Sequence, residues 1–110
     1  METKKLITLI DIALKEAGNY TSLYGGNKTG IEGTTKALSL LKLEVTHHPD
    51  KINERVLRAM HDTGMASFKE YENTPLEDAI NAVIEVLYDS IPEYKNLEPL
   101  RNEFDKGEPI

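Results

Sequence analysis

Apolar positions recur three and four residues apart along most of the chain, which is the spacing of an amphipathic helix. No stretch keeps the strict alternation of a half-buried strand. The clearest run is Thr74 to Tyr88, where Leu76, Ala79, Ile80, Val83, Val86 and Leu87 form one stripe that Ile84 widens. The start of this helix is also written in the residues. Thr74 can cap it by accepting the N–H of Glu77, and Glu77 can reach back to the N–H of Thr74. Pro75 takes the first helical position, where its missing N–H costs nothing. Ile91-Pro92 ends the run, because the residue before a proline avoids the helical region.

Three further helices are predicted. The first runs from Thr3 to Ala17 with Leu6, Ile10, Ala13, Leu14 and Ala17 inward, and Gly18-Asn19 is its stop. Residues 18–33 hold five of the seven glycines, interleaved with Tyr20, Leu23 and Tyr24, and read as a glycine-rich loop with apolar anchors. The second helix starts at Ile31 or Thr34 and reaches Val45, with Ala37, Leu38, Leu41 and Val45 as its core face. Leu40 and Leu43 widen that face enough to predict neighbours on two sides, and His47-His48-Pro49 stops the helix. Asp50 caps a third helix through Asp62, with Ile52, Val56, Leu57 and Met60 inward and Gly64 as its end. Met65 to Tyr71 reads as a short helical turn with Met65 and Phe68 packed inward. Beyond Pro92, Tyr94, Leu97, Leu100 and Phe104 recur at helical spacing and would dock on the core, with 105–110 as a mobile tail. The prediction is therefore a single all-α domain over 1–110, a small bundle of four main helices plus short helical turns.

Composition narrows the class. A chain of 110 residues with 39% hydrophobic and 29% charged side chains can bury a core and is not a disordered tract. It has no cysteine, so neither disulfides nor thiolate metal sites are available. Asp11, Lys15 and Glu16 interrupt the apolar stretch near the N-terminus, and no small-residue cleavage site follows, so a cytoplasmic location is expected. The net charge of −6 is uneven. Residues 1–50 carry six Lys and six Asp/Glu, whereas 51–110 carry seven Lys/Arg and thirteen Asp/Glu. That field disfavours nucleic acid and anionic membrane as partners and favours basic ones.

Candidate chemistry is sparse. Gly25-Gly-Asn-Lys-Thr-Gly resembles a phosphate-binding loop only in composition: Asn27 stands before Lys28 where the motif needs glycine, and a helix precedes it where the motif needs a strand. His47 and His48 are adjacent and would point apart, and His61 lies far along the chain, so no metal-ligand spacing is present. No serine sits in a glycine-flanked elbow. Glu77 and Asp78 point about 100° apart on a helix and suit its first turn rather than an acid–base pair. No catalytic, cofactor or metal residue is assigned, and an enzyme is not expected.

The remaining pattern is acidic. Glu70, Glu72, Glu77, Asp78, Glu85, Asp89 and Glu93 cluster around the organising helix with Tyr71, Tyr88 and Tyr94 among them. Asp78, Glu85 and Asp89, seven and four apart, share one helix face. Carboxylates that steer and pair, with tyrosines as anchors, suit a complex with a basic protein. In size, acidity, lack of cysteine and lack of an active-site pattern, the chain resembles small bacterial immunity proteins, including those of contact-dependent growth inhibition systems. The resemblance is one of kind over the whole chain, and no residue role is carried over. It implies neutralisation of a cognate basic nuclease toxin by an acidic surface. The protein itself is expected to be a monomer or weak dimer. Two other readings are a regulatory or scaffold module that self-associates or binds a partner helix through Leu40, Leu43 and Ile84, and a metal or small-molecule binder using His47, His48 and the glycine loop.

Overall fold

The four amphipathic runs become four helices: α1 (Thr3–Tyr24), α2 (Lys28–His47), α3 (Glu54–Glu70) and α4 (Pro75–Ser90). The computed structural model describes residues 2–24, 28–92 and 94, and among these there is no strand. The outcome is the predicted compact all-α globule. Each helix packs on two others, α1 on α2 and α4, and α3 on α2 and α4, so α1 faces α3 and α2 faces α4 across the diagonals. Tyr20 late in α1 donates to the Glu70 carbonyl at the end of α3, while Thr34 early in α2 meets Tyr71, just before α4. Two helix C-termini and two N-termini thus gather at one end, and helices adjacent in sequence run antiparallel.

Burial follows the apolar spacing. One cluster joins Leu6, Ile10 and Ala13 of α1 to Leu38, Leu41 and Val45 of α2, Leu57 and Met60 of α3, and Val83 and Leu87 of α4. A smaller cluster at the gathered end holds Ala17, Tyr71, Leu76 and Ile80, with Tyr20, Ile31 and Ile84 against it.

The start of α4 is built as its residues dictate, with one change of partner. Thr74 Oγ1 accepts the Glu77 N–H at 3.3 Å, and Pro75 opens the helix. The Glu77 carboxylate reaches back to the N–H of Asn73 at 3.1 Å rather than to that of Thr74. The Thr74 N–H is already used, since it donates to the Tyr71 carbonyl and closes a turn in which Asn73 takes a φ of 63°.

Several boundaries depart from prediction. Gly18-Asn19 is not a stop: α1 continues to Tyr24, and α2 already begins at Lys28, so most of the predicted loop over 18–33 is helical. A glycine inside a helix costs about 1 kcal/mol, which the docking of Ala17 and Tyr20 on the smaller cluster offsets. The third helix is capped by Asn53, whose side chain accepts the Arg55 N–H, rather than by Asp50. It runs through Asp62 and Gly64 to Glu70 without a break. Gly64 is a point of close approach instead of an end, for a Cβ there would overlap Ile84 Cδ1 of α4. Ser67, fully buried on the same helix, donates its hydroxyl to the Gly64 carbonyl. Met65 is exposed rather than inward; the side chain of Phe68 and the segment from Leu97 to Ile110 lie outside the described residues.

Candidate functional site

Formal charge is distributed unequally among the helices. α1 and α2 each carry a net +1 and α3 is neutral, whereas α4 has four carboxylates and neither Lys nor Arg. The inward stripe of α4 fixes which of these face water. With Leu76, Ile80, Val83 and Leu87 buried, Asp78, Asn81, Glu85, Tyr88 and Asp89 are all exposed on the outer side. At a rise of about 1.5 Å per residue the carboxylates of Asp78, Glu85 and Asp89 span roughly 16 Å of helix. Among the described residues none of the three pairs with a cation; the ion pairs there are Asp11–Lys42, Glu54–Arg58 and the long contact of His61 with Asp62. Glu70 and Glu72, also exposed, lie at the end of α3 and in the turn leading into α4.

The tyrosines divide differently from the prediction. Tyr88 is 40% exposed beside Glu85 and Asp89, as an anchor at a surface would be. Tyr71 and Tyr94 are only 3% and 2% exposed. Both are core residues, so neither is an accessible partner contact. The Tyr71 hydroxyl lies 3.1 Å from Thr34 Oγ1, and its ring meets that of Tyr20 edge-on at 5.0 Å. Burial raises its pKa above the usual 10.0; the Thr34 hydrogen bond opposes that rise, and Glu70 and Tyr20 add to it. Tyr94 packs its ring 5.9 Å from His61, and Glu93 lies outside the described residues.

The other candidate features are dispersed. α2 does have neighbours on two sides, α1 and α3, yet Leu40 and Leu43 stay exposed, Leu43 by 55%. Ile84 is partly buried on α4, across the diagonal from α2, so the three residues form no continuous patch. Among the described residues, no group of three His, Asp or Glu side chains is close enough to hold a metal ion, and no helix is long and apolar enough to cross a membrane. The piece Gly25 to Asn27 lies outside the described residues, while Lys28 to Gly30 belong to α2.

The local sequence concealed two features. Glu44 of α2 accepts the Asn53 N–H at 2.8 Å and ties the α2–α3 connection back onto the bundle. Beside that bond lies an open cavity, lined by Glu44, Glu54, Ile52 and Leu57 among others. Neither leaves a signal in apolar spacing, because each depends on where α2 stops relative to the start of α3. Comparison with protein-family models, with curated proteins and with solved structures gives no match.

Proposed function

We propose that this protein binds and neutralises a basic protein partner through the outer face of α4, most concretely as an immunity protein for a cognate nuclease-type toxin. One observation carries the reading: α4 is the single net-negative helix of the four, and Asp78, Glu85 and Asp89 stand on its exposed side without cationic partners among the described residues. Unpaired carboxylates in a row attract a basic surface over about a Debye length, roughly 8–10 Å at physiological salt. Tyr88 adds an aromatic contact at the same place.

Affinity purification of the tagged protein from its native host, at low and at moderate salt, tests the reading. The expected result is one basic polypeptide, recovered less well as salt rises, and reduced at least tenfold when Asp78, Glu85 and Asp89 are together changed to Lys. Recovery of the protein alone, as a dimer by light scattering, would sink the proposal. That outcome would favour the second reading, a self-associating helical module, for which exposed Leu40 and Leu43 on α2 are the supporting observation.

A further inference from the structure

The end of the bundle away from Tyr71 carries a built concavity. Between the last turn of α2 and the first turn of α3, the connection folds back and leaves an open cavity of about 520 Å³. Its apolar side is Ile52 and Leu57, the latter buried in the core. Glu44 from α2, His48 just after it and Glu54 from α3 line it as well, and the N–H of Asn53 holds the Glu44 carboxylate in place. Glu54 is loosely held, its one ion pair among the described residues being with Arg58 at 3.6 Å. A second cavity of about 190 Å³ adjoins it, sharing Lys51 and Ile52 and reaching Asp50 and Ser90, the residue after Asp89.

We infer that the Glu44–Glu54 cavity receives an arginine or lysine side chain of the partner, fixing the register of the complex at one end of the α4 surface. The inference rests on the reading of a basic partner above. The chemistry selects this occupant over others. A long cationic side chain lays its methylenes on apolar surface and keeps its charged head at a polar rim, which half-buried Ile52 and the two carboxylates provide. A guanidinium also matches carboxylates in paired hydrogen bonds. The volume lies within the range of ligand sites, so the side chain enters with its water and adjacent backbone. Lys51 on the rim opposes a cation, and this gives the inference a signature of definite sign.

The test is a nuclear magnetic resonance titration of the isotope-labelled full chain with a blocked triarginine peptide, and with tricitrulline as its uncharged counterpart. Triarginine is expected to shift the backbone amides of Asn53, Glu54 and Leu57 saturably, and tricitrulline is expected not to. Glu54→Gln should weaken binding at least threefold, and Lys51→Ala should tighten it at least twofold. Shifts confined to α4, or no response to Lys51→Ala, would overturn the cavity while leaving the α4 reading intact. No shift anywhere would overturn both.

Discussion

The larger of the two core clusters is aliphatic almost throughout. Leu6, Ile10, Leu38, Leu41, Leu57 and Met60 are fully or almost fully buried there and need only volume and shape to fit. The smaller cluster seats Leu76 and Ile80 against Tyr71, whose hydroxyl must also find Thr34, while Tyr20 must reach the carbonyl of Glu70. One region is held by non-directional burial, the other by burial plus directional bonds that join residues 37 and 50 positions apart. The first should resist truncation in proportion to lost volume, and the second should respond to the loss of single atoms.

Leu38→Ala tests the first region and carries the largest expected effect, a loss of about 2–5 kcal/mol in denaturant unfolding from lost burial and a cavity. Tyr71→Phe keeps the ring and removes only the bond to Thr34, so a loss of about 1 kcal/mol is expected. If the two variants unfolded at the same denaturant concentration, the distinction between the clusters would collapse. Tyr71 also sets a pH dependence. Its folded pKa lies above the unfolded value of 10.0, so the native state keeps a proton that the unfolded chain releases. The associated stability is complete below about pH 10 and is lost as pH rises through the folded pKa. Thermal melts between pH 9 and pH 11 should show a steeper decline for the native chain than for Tyr71→Phe.

Thr74→Ala is expected to cost about 1 kcal/mol, because the hydroxyl both accepts the Glu77 N–H and donates to the Tyr71 carbonyl. The smallest effect has the opposite sign. Gly18 sits inside α1 with nothing within 4 Å of an added Cβ, so Gly18→Ala should raise stability by about 0.5–1 kcal/mol. A lower melting temperature for Gly18→Ala would mean that α1 ends there and that the smaller cluster is not assembled as described.

What could be read from the residues follows the same division. The aliphatic cluster was legible because its members recur every three or four positions, and the α4 cap was legible because Thr74, Pro75 and Glu77 act within one turn. The smaller cluster was not. Its tyrosines are amphipathic, and whether they are buried depends on Thr34 and His61, which no local window contains. Glycine misled for a related reason. Gly18 and Gly64 both look like helix ends, yet one is tolerated in mid-helix and the other makes room for Ile84. Within the candidate site, the shared face of Asp78, Glu85 and Asp89 could be derived from spacing alone. The withdrawal of Tyr71 and Tyr94 into the core could not.

Setting α2 and α4 on opposite corners has a consequence for motion before any contact is made. A helix of net +1 and a helix of net −4 on opposite sides of one small body contribute an electric dipole across its width. Near a strongly basic surface such a body feels a torque as well as an attraction. It would turn its α4 side toward that surface and leave Leu40 and Leu43 trailing, so that, under the proposed function, a larger share of encounters begins in the productive orientation.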